Sequence, residues 1–376
     1  MSKNNILKFL TVSIFLIFIF IFPIINILTP DKTVSTLENK ILTQLPKLSL
    51  DKIKNGYFME NFDKYTEDQF PYREEFISFK NSISYMLGNR EFRNIYITKN
   101  NRLLEKFIFN KEIMYQNISQ ANNLTEKLYK EYKIKSKLIV IPTSIAFYEE
   151  ELPSYAITDN QQDVLNYIKE TTENFYTPYN ILKENKDKYI YFNTDHHWTQ
   201  LGAMLAYSEL YNKDLSTEDE LYSNYKKVAE SFLGSYYSKA ILPTIKGDSI
   251  YSYKNYNNHK IEIDFDRNYN TLYDNEKLEG KNKYQYFLHG DPAYALIEGN
   301  PNKEEEILIL KDSFAHNFIP LLANEYKKIH VIDPRYYTSN LEDYIKNNPN
   351  IKEVLTICNI QTLNQDKFFP KTTPTK

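Results

Sequence analysis

Apolar positions along the chain follow three patterns, and each predicts a different kind of element. Residues 9–28 run without a charge for about the 20 residues that cross a bilayer's hydrocarbon core, with Lys3 and Lys8 just before them. Basic residues on that side hold the N-terminus in the cytoplasm and put everything after Thr29 outside. No Ala-x-Ala-like site follows, and the run exceeds a usual signal h-region, so residues 1–30 read as an uncleaved transmembrane signal anchor. Pro23 inside it would kink a helix rather than forbid one. The expected location is the cell membrane, single-pass, with the remaining chain extracytoplasmic. Residues 33–54 are polar, with Pro46, and read as a stalk or loop. Helical spacing follows at 58–66 and 73–87, divided by Phe70-Pro71. A hairpin is predicted at 94–104, where Ile95-Tyr96-Ile97 and Leu103-Leu104 flank Asn100-Asn101. Residues 31–110 are expected to form an extension packing on the main domain.

The third pattern is an α/β rhythm. Leu138-Ile139-Val140-Ile141, Ile307-Leu308-Ile309-Leu310, Ile329-His330-Val331-Ile332 and Val354-Leu355-Thr356-Ile357 are strand-length apolar runs, the mark of strands buried on both faces. Tyr189-Ile190-Tyr191-Phe192 reads as a fifth. Helical spacing at 119–132, 163–173, from 199 onward, 314–326 and 341–347 alternates with them, which implies a parallel sheet with right-handed crossovers. Residues 235–300 change character, becoming rich in Tyr, Asn and Asp with period-two stretches such as 260–265, and are expected to form an antiparallel insertion. The main domain is placed at 111–366, and the tail 367–376, with Pro370 and Pro374, is expected to fray.

Composition narrows the class. With 376 residues and 42% apolar side chains the chain can bury a sizeable core. Forty-six basic against 49 acidic residues leave a formal charge of −3, and no long run of like charge occurs, so nothing argues for nucleic acid. The single cysteine, Cys358, cannot form an internal disulfide and lies among strand residues, where it is expected to be inert. The abundance of Tyr and Phe suits a carbohydrate-facing surface and equally a compositional bias of the genome.

Two polar knots interrupt the rhythm. Asp195-His196-His197-Trp198 holds two of the six histidines and the only tryptophan, between a predicted strand and a helix resuming at Thr199. Lys311-Asp312-Ser313-Phe314 repeats the design: buried strand, abrupt polar turn, helix. Ligands and catalytic groups gather beyond the carboxyl ends of strands in such folds. A serine there has helix N-terminal N–H groups beside it, suited to stabilising an oxyanion, although serine is also an ordinary N-cap. Asp-x-His supplies what such a serine needs, a base and a carboxylate that fixes the base's tautomer. His196 is expected to face away from His197, because adjacent residues leaving a strand point oppositely. Trp198 reads as core, as a lid, or as a ring that stacks on a sugar. A metal-dependent hydrolase using Asp195, His196, His197 and His316 is a rival reading, but adjacent histidines rarely converge on one ion.

These residues resemble the DHHW family of bacterial extracytoplasmic proteins, itself similar to the alginate O-acetyltransferase proteins with an SGNH-hydrolase-like domain. The matching segments are Thr194-Asp195-His196-His197-Trp198-Thr199, Lys311-Asp312-Ser313-Phe314 and Ile332-Asp333-Pro334-Arg335-Tyr336-Tyr337. Toward the N-terminus, Leu37-Glu38-Asn39-Lys40, Gly56-Tyr57-Phe58 and Asp68-Gln69-Phe70-Pro71-Tyr72-Arg73 resemble the family's opening. The resemblance implies an SGNH-hydrolase-like, flavodoxin-like parallel sheet flanked by helices. It also implies a triad of Ser313 nucleophile, His197 base and Asp195 orienter. The implied chemistry passes an acetyl group through Ser313 to a hydroxyl of an exported polysaccharide, with no cofactor and no metal. The donor would be a multispanning membrane O-acyltransferase. Arg335 and Tyr286 are candidates for substrate or oxyanion contacts. Lys311 stands where the family has glycine, and no counterpart of the SGNH asparagine block is assigned. An acetylesterase using the same triad differs only in the acceptor that reaches the acyl-enzyme. A non-catalytic polysaccharide-binding scaffold would keep glycan binding after Ser313→Ala.

Overall fold

The computed structural model describes residues 3–369 apart from Ser216 and Asn257. The chain forms two compact units, Met1–Asn89 with Ser238–Thr244, and Arg90–Tyr237 with Ile245–Lys376. The boundary expected at 110 therefore falls at 89/90. Its cause is the hairpin Ile95–Ile97/Leu103–Glu105, which is bonded into the larger unit. Leu103 donates its N–H to the Asn193 carbonyl at 2.8 Å, and the Tyr96 hydroxyl donates to the Ile157 carbonyl at 3.0 Å.

In the smaller unit, Asn5–Leu28 is one apolar helical run of 24 residues, long enough to cross a membrane or to serve as a signal sequence. A π-helical turn at Ile17–Ile21 precedes Pro23, the usual way a helix absorbs a residue that cannot donate. Within residues 33–54, expected to be a stalk or a loop, the first part is a loop clamped in place. The Asp68 carboxylate accepts from Lys40 Nζ at 2.6 Å and from the Thr43 N–H at 2.9 Å. Gln69 binds both the N–H and the carbonyl of Lys32, and Arg73 pairs with Glu38. The motifs that resemble the family's opening thus hold this loop against helices Tyr57–Asp68 and Arg73–Met86.

The larger unit is built on an eight-stranded sheet. In chain order its strands are β1 (Lys135–Ile141), β2 (Phe175–Tyr176), β3 (Ile261–Ile263), β4 (Arg267–Tyr269), β5 (Tyr294–Glu298), β6 (Glu306–Lys311), β7 (Lys328–Ile332) and β8 (Ile351–Asn359). Their order across the sheet is β4-β3-β5-β7-β6-β8-β1-β2. The strands β7, β6, β8, β1 and β2 are parallel, and the expected insertion adds β5, β3 and β4 antiparallel at one edge. Alternation explains the apolar runs: Ile307 and Ile309 of β6 enter one hydrophobic core while Leu308 and Leu310 enter the other. Helices α1 (Lys111–Tyr132), α2 (Gln161–Thr171) and α3 (Gln200–Leu210) contribute to the first core, and α4 (Leu341–Asn347) to the second.

Three elements differ from expectation. Tyr189–Phe192 is not a sheet strand; it closes a narrow loop through a single bridge between Tyr191 and Trp198, and the fifth parallel strand is β2. The helix expected at 314–326 is a 3-10 turn, Ser313–Asn317, followed by the short helix Ile319–Leu322. Pro320 explains the break, because a proline inside a continuous helix would lose its bond to residue 316 and clash with that carbonyl. The tail does not fray at 367–369, since Phe368 and Phe369 are buried and the Phe368 N–H donates to Asn117; residues 370–376 lie outside the described residues.

Lys311, the last residue of β6, is fully buried. Its Nζ lies 2.7 Å from Asp291 Oδ1 and 3.3 Å from the buried Asp333 Oδ2, which Arg335 also holds. A charge can stay there only while its partners do. Lys311→Ala should therefore lower unfolding free energy by about 3–5 kcal/mol, measured by denaturant titration, whereas replacing an exposed lysine such as Lys352 should change it by under about 0.5 kcal/mol.

Candidate active site

The Asp195 knot is fixed by a tight loop and not by a strand end. Thr199 N–H donates to the Ile190 carbonyl at 2.9 Å and Phe192 N–H to the His197 carbonyl at 3.3 Å, folding 193–196 into the tip. The tip is held from below by the buried Asp248 carboxylate, which accepts from the N–H groups of Asn193 and Thr194 at 2.9 and 2.8 Å. The Tyr191 hydroxyl donates to the Pro142 carbonyl, joining the loop to the carboxyl end of β1. Thr199 then caps α3, which starts one residue after the expected position.

Ser313 sits at the carboxyl end of β6, on the first residue of the 3-10 turn. Asp312 caps that turn, accepting from Phe314 N–H at 2.9 Å, while its other oxygen takes both the N–H and the side-chain amide of Asn359 at 2.8 and 2.7 Å. Asn359 ends β8, so the serine turn is fastened to the neighbouring parallel strand.

The two knots meet. Ser313 Oγ lies 2.9 Å from His197 Nε2, and His197 Nδ1 lies 2.5 Å from Asp195 Oδ1. The remaining Asp195 oxygen accepts from Ser235 N–H at 2.7 Å. Asp195 and His197 are buried, whereas Ser313 is half-buried. Burial pushes the Asp195 carboxyl up, but the imidazoles of His197 and His196 outweigh it and hold the group well below the usual carboxylate range. Burial lowers His197 from its ordinary value, and the Asp195 charge partly offsets this. At neutral pH the pair is a carboxylate beside a neutral imidazole. Its Nδ1–H is the group positioned to donate to Asp195, which leaves the Nε2 lone pair facing the serine.

Several neighbours lay outside the sequence reading. Tyr284 stacks face to face on His197, ring centroids 3.6 Å apart and 8° from parallel, and its hydroxyl donates to the Ser313 carbonyl at 2.9 Å. Gly234 approaches Asp195 so closely that a side chain there would collide with the carboxylate. Glycine is scarce in this chain, so Gly234-Ser235 at the start of the predicted insertion was a usable signal. Tyr284 was hidden among many tyrosines.

Other expected contacts fall elsewhere. Tyr286 is a core residue: it is fully buried, its hydroxyl meets Ser252, and its ring stacks on Tyr273. Trp198 is also core, donating Nε1–H to the Phe314 carbonyl and stacking on Phe318, so it has no face for a sugar. The Arg335 guanidinium forms a bidentate pair with Asp333 at 3.0 and 2.8 Å. His196 does not point away from His197. Their rings are 3.7 Å apart, because the loop tip is not extended, and His196 Nδ1 is 2.6 Å from Ser235 Oγ. Burial, together with the neighbouring His197, pushes His196 down to about 4.

Ligand atoms of Asp195, His196 and His197 lie within 4.8 Å of one another, near enough to suggest a metal site. Both His197 nitrogens already face hydrogen-bond partners, and His196 Nδ1 faces Ser235. That donor set suits proton transfer better than coordination of an ion. His316 is apart from the trio, its Nε2 3.2 Å from Asp291.

A family model described as DHHW protein matches residues 93–332. A crystal structure of a DHHW family protein from Eubacterium siraeum aligns with a TM-score of 0.60 at 22% identity, covering 72% of this chain and 92% of that one. Bacillus cereus PatB1, solved with a sulfonyl adduct, aligns at 0.59 and 23%, covering 73% and 98%; a second PatB1 structure gives 0.59 and 24%. At these identities the likeness is one of fold. No curated protein sequence matches. The matched segment takes in more than half of the chain and includes both Asp195-His196-His197-Trp198 and Asp312-Ser313, so the chain belongs to the DHHW family.

Proposed function

We propose that this protein is a membrane-anchored extracytoplasmic O-acetyltransferase that acts through a Ser313–His197–Asp195 triad on hydroxyls of an exported polysaccharide. The observation that carries the reading is the pair of contacts at 2.9 and 2.5 Å that link the three side chains in order. The resemblance to alginate O-acetyltransferases supports the acyl group and the polymer. The Asn5–Leu28 helix suits a domain working beside a multispanning acyl donor.

The chemistry follows from the geometry. Ser313 Oγ attacks the acetyl carbonyl while its proton passes to His197 Nε2, and the imidazolium so formed is steadied by Asp195. The tetrahedral oxygen develops negative charge beside the Ser313 N–H, the next N–H of the turn, that of Phe314, being taken by Asp312. Collapse returns the proton from His197 to the leaving oxygen and leaves an acetyl ester on Ser313. A sugar hydroxyl then gives its proton to His197 and attacks the ester, releasing the acetylated polymer and restoring the serine. Tyr284 has a supporting part: its ring face lies against the imidazole that becomes cationic, and its hydroxyl fixes the Ser313 carbonyl.

Ser313→Ala should abolish acetate release from an acetyl ester and the acetyl adduct on the protein in mass spectrometry, with the circular dichroism spectrum retained. Asp195→Asn should lower kcat by about 10⁴, the loss expected when the base is held in the wrong tautomer. An adduct forming on the Ser313→Ala variant would disprove the assignment.

The active base is neutral His197, so the rate should fall as pH drops through its pKa. That pKa is depressed, which places the acid limb of kcat/KM below 6.5, and a limb above 6.5 would contradict the burial argument.

Tyr284→Leu should lower kcat by roughly 2- to 30-fold through loss of a cation–π contact worth about 0.5–2 kcal/mol. Tyr284→Phe, which keeps the ring, should retain most of the rate, as steady-state assays on the two variants would read.

A further inference from the structure

Helix Arg73–Met86 in the smaller unit is amphipathic the wrong way round for a soluble protein. Its half-buried side is mostly polar, Ile77 and Tyr85 apart: Arg73 pairs with Glu38, Glu74 with Ser35, Asn81 donates to the Ala240 carbonyl at 2.7 Å, and Ser82 to the Ser78 carbonyl. Its outward side carries Phe76, Phe79, Ile83, Met86 and, just past the end, Leu87. They are exposed by 40, 65, 42, 81 and 84%. The spacing of these residues, three or four apart, makes one continuous stripe. Large exposed apolar stripes mark a surface made for something other than water.

The span tells what covers it. Phe22 of the membrane-crossing helix stacks on Phe70, ring centroids 5.5 Å apart, and meets Phe76 at 5.9 Å. Phe22 lies six residues before Leu28, the end of the span, which is about 9 Å down a helix rising 1.5 Å per residue. The start of helix Arg73–Met86 is therefore held at the depth, about 5–10 Å, to which interfacial helices sink their apolar faces. We propose that this helix lies in the outer leaflet of the same bilayer, its stripe on the acyl chains and its polar side on the protein, as a second membrane attachment. The proposal rests on the anchor part of the functional reading and is independent of the triad.

The test is spin-label accessibility on the full chain reconstituted in phosphatidylcholine–phosphatidylglycerol vesicles. The one native cysteine, Cys358, is fully buried, so labels go to Phe79→Cys, Ile83→Cys and Met86→Cys. Ile14→Cys in the span and Tyr129→Cys on the exposed side of α1 are the lipid and water references. Relaxation by oxygen in preference to a water-soluble nickel chelate, at a ratio matching Ile14 and not Tyr129, is the expected result at all three positions. A ratio like that of Tyr129 overturns the proposal. Shielding from both reagents overturns it too, by showing that protein, a second copy or a partner, covers the stripe. An aqueous signal at Ile14 itself would remove the anchor and this proposal together, while leaving the Ser313 chemistry untouched.

Discussion

Three buried aspartates are each bound by backbone N–H groups, and the candidate site exists because of what they tie together. A carboxylate removed from water is costly unless hydrogen bonds replace its hydration. Asp248 draws in the N–H groups of Asn193 and Thr194, Asp195 those of His197 and Ser235, and Asp312 those of Phe314 and Asn359. Each thereby joins chain segments far apart in sequence. Removing one would leave several unpaired donors in a dry place and release a loop, so the site and the fold around it stand or fall together.

This explains which parts could be read in the sequence. β1, β6, β7 and β8 were legible because a strand buried on both faces is apolar at nearly every position, His330 and Thr356 being the exceptions within the runs. The hairpin at 95–105 was legible from its turn residues. Ser313, His197 and Asp195 could be singled out because nucleophilic chemistry needs those types where elements end, and the three side chains do come together. Tyr189–Phe192 misled because aromatic and β-branched residues suit a loop packed between α3 and the core as well as they suit a strand. The error carried over to His196, whose orientation was derived from an alternation the loop does not have. Tyr284, Gly234 and Asn359 were illegible for a different reason. Their importance lies in which remote group they touch, and neither type nor spacing records that.

The position of Lys311 shows how a buried charge can be absorbed. A buried ammonium demands acceptors. Asp291 and Asp333 supply them, and Arg335 balances Asp333 in turn. The tyrosine next to this group, Tyr284, lies between His197 and His316, with His316 at 6.2 Å. Lys311 and Asp291 in turn bear electrostatically on His316, which burial, helped by the lysine charge, pushes down to about 4. His316 adds to the burial that lowers His197, while the Asp291 charge works the other way.

The imidazole of His197 has no remaining degree of freedom. One edge is held by Asp195 and the other faces Ser313; Tyr284 lies against it in parallel, and the His196 ring packs 3.7 Å away. A ring so enclosed is hindered from turning to exchange its nitrogens, which favours the tautomer that donates Nδ1–H to the carboxylate. Little reorganisation is left for the moment of reaction, which is where preorganised sites gain most of their advantage over water. Ser313 is half-buried, whereas His197 and Asp195 are buried. That arrangement holds the imidazole in one orientation beside the more accessible hydroxyl.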